Sequence, residues 1–397
     1  MPKIPLKNQN LAFSPIRKLT PYAEAAKKRG VKIYHLNIGQ PDIASPEIFL
    51  KKIKEFNEPV VFYEKSDGSE AFKQSLLTYY RRLNLNVELS DIVATTGGSE
   101  ALWMAFAILF DPGDECLTFE PAYTNYQTFA ELSGVKLKGV PTYLENNFAL
   151  PPVGKLAAAL TPKTKGIIVT NPSNPTGAVY SEDLLAGLVE FCLTHDLFII
   201  SDETYREFIY GKMTTRSLLS FKPAEPNVVL TDSLSKRYSL CGARLGCLVS
   251  KNKIVVEMAN KIAQARLASP SIEQYAASFL GEVPPSYFDD VRVEYQARRD
   301  TLVQELRRIP GIQVNNPDGA FYLIAQLPVD DAEAFCKFLL EKFSDHQETV
   351  MLAPAEGFYI TPGLGKNQVR IAYVLNREDL KRAVELIRLG LLKYQNE

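Results

Sequence analysis

The sequence predicts an α/β protein with two domains. The large domain has a mostly parallel sheet of the seven-stranded type, flanked by helices, and the smaller domain is of the α+β type. From about residue 90 to residue 250, short apolar runs alternate with helix-like stretches, an order typical of parallel sheets. After about residue 270, the pattern changes to a long, charge-rich helical stretch, which indicates a second unit.

The strands of the large domain are predicted from apolar runs that are rich in valine and isoleucine. Because most of these runs do not alternate apolar with polar residues, we expect strands that are buried on both faces. Helix patterns lie between the runs at Ser99–Phe110 and Glu182–His195. The candidate strands are Ile92–Thr95, Cys116–Phe119, Gly166–Thr170, Leu197–Ser201, Val228–Thr231 and Gly246–Ser250.

The smaller domain is predicted from the carboxyl-terminal third of the chain. A charge-rich helical stretch runs through Arg292–Arg308, and an amphipathic helix is expected over Arg377–Tyr394. We place the large domain at residues 43–275 and the smaller one at residues 1–42 together with 276–397.

Composition favours a small-molecule ligand. The 397-residue chain carries 45 basic and 46 acidic residues, so no charge excess points to nucleic acid or to a membrane surface. The five cysteines lack a C-x-x-C pair and the three histidines are dispersed, so we expect neither a metal site nor a disulfide framework. The sequence shows no secretory signal and no apolar run of the ~18 residues that a membrane span needs, and we expect a cytoplasmic protein.

The segment VVLTDSLSKRYSLCGARLGCLVS carries the strongest chemical signal. An apolar strand leads into Ser233 and Lys236, and Arg244 follows between Gly242 and Gly246. A lone lysine after a strand is usually a solvated cation. A lysine amine in a buried or cationic setting, however, forms a Schiff base with an aldehyde. The serine and the planar fork of the arginine can hold a phosphate, and the glycines let the backbone come close.

This segment resembles the lysine signature of the class I/II pyridoxal 5′-phosphate (PLP)-dependent aminotransferases, which are aspartate aminotransferase-like enzymes of fold type I. The resemblance extends from Asn37 to Arg370, with the motifs in the family's order. It implies that Lys236 holds PLP and moves a proton during catalysis. It also implies ping-pong transfer of an amino group from an L-amino acid to a 2-oxo acid.

Two further strand ends carry family motifs. In LFIISDETYREF, Asp202 and Tyr205 can be a helix cap and a packing residue, but the resemblance makes them partners of the cofactor's pyridinium nitrogen and phenolic oxygen. In GIIVTNPSNPTG, an Asn/Pro/Gly turn is the simpler interpretation. The resemblance there implies that Asn174 reaches the phenolic oxygen and the substrate carboxylate. We also predict a cis peptide bond between Asn174 and Pro175.

A glycine pair opens the first helix of the large domain. Backbone N–H groups and the helix dipole make such a helix start suitable for phosphate. The segment is neither a Walker A loop nor G-x-G-x-x-G, because residue 102 is leucine. The resemblance implies that Gly98, Ser99 and Glu100 complete the phosphate site, and that Tyr123 stacks on the cofactor ring.

Three other residues match the family. Arg370 interrupts an apolar strand, and a buried arginine needs an anionic partner. The resemblance makes that partner the substrate α-carboxylate, over which Gly39 closes. Tyr63 resembles a tyrosine donated across a dimer interface to the partner's phosphate site, which implies a homodimer with shared active sites; a plain surface-loop position is the alternative.

Substrate choice is less constrained than reaction type. An acidic-substrate subgroup carries a lysine after the glycine pair, where this chain has Ser99; Arg17 or Lys18 are candidate substitutes. Aspartate with 2-oxoglutarate is the first expectation, followed by aromatic amino acids or alanine. A PLP-dependent C–S β-lyase or related lyase shares the same residues, and a PLP-binding sensor without turnover is an alternative of another class. The missing glycine fingerprint disfavours a nicotinamide dehydrogenase.

Overall fold

The computed structural model describes residue 2 and residues 14–396, which form three sheets with helices packed around them. The strands are β1 Lys32–His35, β2 Ile92–Thr95, β3 Glu115–Glu120, β4 Lys136–Pro141, β5 Thr164–Thr170, β6 Phe198–Asp202, β7 Val228–Ser233, β8 Gly246–Ser250, β9 Gln313–Val314, β10 Tyr322–Gln326, β11 Glu348–Met351, β12 Ala353–Pro354 and β13 Gln368–Ala372. The α-helices are α1 Thr20–Lys28, α2 Glu47–Glu55, α3 Glu70–Arg82, α4 Gly98–Leu109, α5 Asn125–Leu132, α6 Val153–Ala159, α7 Glu182–Thr194, α8 Leu234–Arg237, α9 Lys253–Arg266, α10 Ser271–Ala277, α11 Pro285–Leu306, α12 Ala332–Glu341 and α13 Arg377–Tyr394.

The large sheet has seven strands in the order β2-β8-β7-β6-β5-β3-β4. Neighbouring strands from β7 to β4 run parallel, and β8 is antiparallel to both β2 and β7. All six predicted strands are present, so the mostly parallel sheet is confirmed. Strand β4, at the edge of the sheet, was not predicted, because lysines and a glycine interrupt its apolar residues and leave no apolar run.

The central strands are buried on both faces because helices cover the sheet from each side. Ile200 and Val229 face a cluster that includes α4 and α9 residues, whereas Ile199 and Leu230 face a second cluster that includes α3 and α7 residues. Successive side chains of a strand point to opposite faces. Two apolar faces therefore require the uninterrupted apolar runs seen in the sequence.

The second sheet is antiparallel, in the order β12-β13-β10-β9, and a parallel pair of β1 with β11 lies in the same part of the fold. Its core gathers side chains from α11, α12 and α13 together with residues of the N-terminal segment. Helix α13 has the predicted bounds, and its N-cap Asn376 accepts a hydrogen bond from the Asp379 N–H. Helix α11 begins before the predicted Arg292, at Pro285, because proline suits the first turn of a helix. The domain boundaries at residues 43 and 275 stay a prediction.

The parallel strands bring several polar residues to one edge of the large sheet. Asp202 ends β6 and Ser233 ends β7, and Asp202 pairs in register with Thr170 of β5 and Thr231 of β7. Ligands bind at this carboxyl edge in open α/β sheets. Among the described residues, no helix is both long and apolar enough to cross a bilayer, and no group of three or more His, Cys, Asp or Glu side chains is placed to hold a metal ion.

Candidate active site

A cavity of about 690 Å³ opens at the carboxyl edge of the large sheet, where residues of the second sheet and of the N-terminal segment complete its wall. Most of the site residues predicted from the sequence line it. These are Gly39, Gly98, Ser99, Tyr123, Asn174, Asp202, Tyr205, Ser233, Lys236, Arg244 and Arg370. The cavity therefore gathers segments that lie up to several hundred residues apart in the chain.

The Lys236 amine lies inside this cavity without an acidic partner in the described part of the chain. The residue belongs to the single turn of α8, whose N-cap Ser233 accepts a hydrogen bond from the Ser235 N–H. Its Nζ donates to the Gly39 carbonyl oxygen at 2.8 Å and lies 3.6 Å from the Cys241 Sγ. An amine held by one carbonyl, rather than by a carboxylate, is available for reaction with an aldehyde.

One end of the cavity is built to bind an anion. The Ser233 and Ser235 hydroxyls lie 2.9 Å apart, and α4 presents its N-terminus at Gly98. The Arg244 guanidinium is held there by the Cys241 carbonyl at 3.0 Å. Gly97 has a φ of 78°, a backbone conformation that strains other residues, and a Cβ at this position would lie 2.5 Å from an Arg244 nitrogen. No acidic side chain among the described residues joins this group of donors.

A buried network of ion pairs and hydrogen bonds around Asp232 contacts the segment that carries Ser233 and Lys236. Asp232 accepts hydrogen bonds from Arg237 at 2.6 Å, from the Ser233 N–H at 2.7 Å and from the Tyr80 hydroxyl at 2.8 Å. Burial alone would raise the pKa of Asp232, but the positive charges of Arg237 and Arg206 outweigh burial and lower it. The network fixes the residues on either side of Lys236.

Asp202 also lines the cavity and is 4% exposed. Its carboxylate accepts hydrogen bonds from the Tyr126 hydroxyl at 2.5 Å and from the Thr204 hydroxyl at 2.7 Å. Burial raises the pKa of Asp202, because these neutral donors only partly replace water around the charge. A cationic ligand atom at this position would stabilise the ionised carboxylate.

A tyrosine and asparagine cluster also lines the cavity. The Tyr205 hydroxyl is 2.9 Å from the Tyr322 hydroxyl and accepts a hydrogen bond of 3.5 Å from the Asn174 side-chain amide. The peptide bond between Asn174 and Pro175 is cis, as predicted. The cluster presents hydroxyl and amide donors to an oxygen-bearing ligand.

Arg370 is almost fully buried and lacks a carboxylate partner among the described residues. Its guanidinium donates to the Asn174 side-chain oxygen at 3.1 Å and to the Asn37 carbonyl at 2.5 Å, while its Nε has no partner in the structure. Burial lowers the pKa of Arg370. A buried, incompletely satisfied guanidinium that faces a cavity is a binding site for an anion such as a carboxylate.

The comparisons with known proteins agree with this geometry. A family model described as aminotransferase class I and II matches residues 31–387. The chain belongs to the class I and II aminotransferases. The aspartate aminotransferase of Bacillus subtilis is 32% identical over 387 residues, covering 95% of each chain. Among solved structures, Thermus thermophilus aspartate aminotransferase with maleate (TM-score 0.88) and Pyrococcus furiosus alanine aminotransferase (TM-score 0.89) are each 26% identical and cover 98% of this chain and 100% of their own.

The family establishes the cofactor and the reaction type: the chain is a PLP-dependent aminotransferase, as predicted. The cavity fits this cofactor. It offers hydroxyls, a helix N-terminus and Arg244 for a phosphate, a buried carboxylate at Asp202 for a protonated ring nitrogen, and the amine of Lys236 for an aldehyde.

Two predicted cofactor residues of this aminotransferase lie outside the cavity of their own chain. The side chain of Glu100 points away from the cavity, since side chains of successive helical residues point in directions about 100° apart. Its carboxylate forms an ion pair with Arg266 instead. A side-chain contact of Glu100 with the cofactor is therefore not supported by its position. Tyr63 is 79% exposed, and the role predicted for it across a dimer interface stays a prediction.

Two tyrosines that support the site were not found from the sequence, and of these only Tyr322 lines the cavity itself. Tyr126 holds Asp202 from α5, and Tyr322 of β10 contacts Tyr205 and stacks under the Arg370 guanidinium at 4.4 Å from its ring centroid. Neither tyrosine stands directly at the end of a predicted strand. Their roles depend on tertiary contacts that leave no local sequence signal.

Glu100 has a structural position that the aminotransferase sequence did not reveal. Its carboxylate accepts the Thr96 N–H and pairs with Arg266 at 2.9 Å, while Arg266 donates to the Ser66 carbonyl at 2.7 Å. This pair connects the turn before α4 with the loop that follows Tyr63.

We expect Glu100→Ala to lower the free energy of unfolding by about 1–3 kcal/mol, because a largely buried guanidinium loses its acid. The matched control is Glu257→Ala, which removes an exposed helical ion pair with Lys261 and should cost less than about 0.5 kcal/mol. Chemical denaturation of both variants measures the difference. Equal losses would show that the Glu100 pair has no special structural role.

Proposed function

We propose that the enzyme transfers the amino group of an L-amino acid, with aspartate as the first expectation, to 2-oxoglutarate. One observation carries the proposal: a single cavity brings together the amine of Lys236, the buried carboxylate of Asp202 and the buried guanidinium of Arg370. The relatives named aspartate aminotransferases support aspartate as the donor, although an alanine aminotransferase is a comparably close structural neighbour.

Each of these residues has a role in the proposed reaction. When bound, PLP supplies an aldehyde that takes up amino groups and a ring that withdraws electrons from the substrate α-carbon. Lys236 would hold the cofactor through its amine, and its Nζ would carry the proton to and from the substrate α-carbon. Asp202 keeps a proton on the ring nitrogen through its negative charge.

The remaining cavity residues bind and orient. Arg370 and Asn174 hold the substrate α-carboxylate, which supplies the anion that the buried guanidinium lacks. Tyr205 would donate to the cofactor's phenolic oxygen, and Tyr123 would pack against the ring. Arg244, Ser233, Gly98 and Ser99 hold the phosphate. This division assigns one ligand group each to Lys236, Asp202, Arg244 and Arg370, all of which line the cavity.

We also propose a cytoplasmic homodimer that serves amino-acid biosynthesis. An exposed loop carries four large apolar or aromatic side chains in sequence, Val60, Val61, Phe62 and Tyr63, which are 52%, 54%, 75% and 79% exposed. Contiguous apolar exposure of this kind is typical of an interaction surface. A second copy that covers this loop would bring Tyr63 next to the partner's phosphate site. A molar mass in solution equal to that of one chain, 44.4 kDa, would contradict the proposal.

A donor panel tests the proposed reaction. We expect aspartate to convert the bound cofactor to its aminated form, and 2-oxoglutarate to reverse that conversion, with absorbance spectra as the readout. Release of pyruvate or ammonia in the absence of any 2-oxo acid would instead indicate the lyase. No spectral change with any donor would favour a sensor without turnover.

A further inference from the structure

The cavity contains one cationic side chain that the proposed roles leave unused. The charged residues among its lining are Arg17, Lys236, Arg244, Arg370 and the single acid Asp202. In the proposed reaction, Lys236 reacts with the aldehyde, Arg244 binds the phosphate and Arg370 binds the α-carboxylate. The guanidinium of Arg17 remains without an assigned anion.

Arg17 lies in a turn that the structure holds firmly next to Arg370. The Thr20 N–H donates to the Arg17 carbonyl at 2.9 Å, and the side chain of Leu19 is buried. The Asn37 side-chain amide donates to the Ile16 carbonyl at 3.0 Å, and the Asn37 carbonyl accepts from Arg370 at 2.5 Å. Buried Asn37 thus connects the backbone beside Arg17 directly to the Arg370 guanidinium.

The guanidinium of Arg17 has no hydrogen bond or ion pair within the part of the chain that the structure describes. The adjacent Lys18 differs, because it forms an ion pair with Glu333. Arg17 and Lys18 were the two candidates for binding a second substrate carboxylate. Of these two, only Arg17 lines the cavity and has no ion pair among the described residues.

The positive charges of Arg17 and Arg370 both affect the pKa of Tyr123. Burial raises the pKa of Tyr123 to about 12, and the positive charges of Arg370 and Arg17 both oppose that rise. The Tyr123 hydroxyl also accepts a hydrogen bond of 2.9 Å from the Asn125 amide. Both guanidiniums and Tyr123 line the same cavity.

We propose that Arg17 binds the side-chain carboxylate of the substrate and so selects dicarboxylic amino acids and 2-oxo acids over neutral ones. The inference rests on the proposed aminotransferase reaction and names the residue that sets its substrate class. A guanidinium presents two parallel N–H donors that match a carboxylate, and no acidic side chain of residues 14–396 pairs with Arg17. The other polar side chains of the lining, such as Ser99 and Asn125, are neutral and offer no such charge.

The test compares Arg17→Met with Lys18→Met in the loaded enzyme, using the donor half-reaction alone so that the acceptor does not contribute. Because a charged hydrogen bond is lost, we expect Arg17→Met to lower the rate constant for conversion of bound cofactor by L-aspartate about tenfold to a hundredfold. The rate constant for L-alanine should change less than about twofold. Lys18→Met, which removes a cation outside the cavity, should change neither rate constant.

Two further measurements separate recognition from other effects. The dissociation constant of succinate should rise in Arg17→Met by about the same factor as the aspartate rate falls, whereas that of propionate should not change. Arg17→Lys should recover part of the aspartate rate, since lysine retains the charge but not the planar fork. Equal losses for aspartate and alanine, or an unchanged succinate constant, would overturn the role of Arg17.

The outcomes distinguish this inference from the proposed function. A wild-type enzyme that converts no amino donor would refute the aminotransferase reaction of this cavity. A wild-type enzyme that prefers aspartate, with an Arg17→Met variant of the same preference, would refute only the inference about Arg17.

Discussion

We expect Lys236→Ala to reduce transamination by about 10⁴-fold or more, the largest effect of any single substitution in the cavity. Lys236 is the one amine that lines the cavity among the described residues, and the guanidiniums there are too basic to replace it as a proton carrier. The substitution removes both the covalent attachment of the cofactor and the group that moves the proton. Steady-state turnover with aspartate and 2-oxoglutarate measures the loss.

Reduction with borohydride provides a readout that does not depend on turnover. This reagent fixes the cofactor to the amine that holds it, so the labelled peptide of the wild type should contain Lys236. The matched control is Lys261→Ala, which removes an exposed lysine from helix α9 and should retain full turnover and labelling. Labelling of another lysine in the wild type, or unchanged turnover of Lys236→Ala, would disprove the assignment.

The sequence predicted those parts of the structure that depend on local patterns. Strands β5 to β8 form uninterrupted apolar runs because helices bury both faces, and such runs are visible without any tertiary information. Strand β4 was missed because lysines and a glycine, which also suit a loop, separate its apolar residues. An apolar run in the sequence therefore identifies a strand that is buried on both faces, whereas an edge strand can be present without such a run.

The same distinction applies to the candidate site. Asp202 and Ser233 stand at strand ends and Lys236 follows one, all in recognisable motifs, and the structure places all three in one cavity. Tyr322 reaches the cavity from the other sheet, so only tertiary structure reveals it. The direction of a side chain is equally invisible in the sequence: Arg17 and Lys18 are adjacent, yet Arg17 lines the cavity while Lys18 pairs with Glu333.

Asp202→Asn should give the second large effect, a loss of about 10³-fold in turnover, the size expected when one preorganised electrostatic interaction is removed. Asparagine has nearly the same shape as aspartate and keeps an oxygen that can accept from Tyr126, which now donates at 2.5 Å. What disappears is the negative charge. Because the site is buried and water cannot replace that charge, the proton on the cofactor's ring nitrogen loses its stabilisation.

A companion variant separates the charge of Asp202 from its hydrogen bonds. Thr204→Ala removes the hydroxyl that donates to Asp202 at 2.7 Å but leaves the carboxylate in place, so the loss of turnover should stay within about tenfold. In Asp202→Asn, the ring nitrogen should lose its proton at a lower pH than in the wild type, which a pH titration of the cofactor spectrum measures. If Asp202→Asn and Thr204→Ala lost activity equally, hydrogen bonding rather than charge would be the contribution of Asp202. The buried carboxylate would then be a scaffold for the strand end and not the group that keeps the ring protonated.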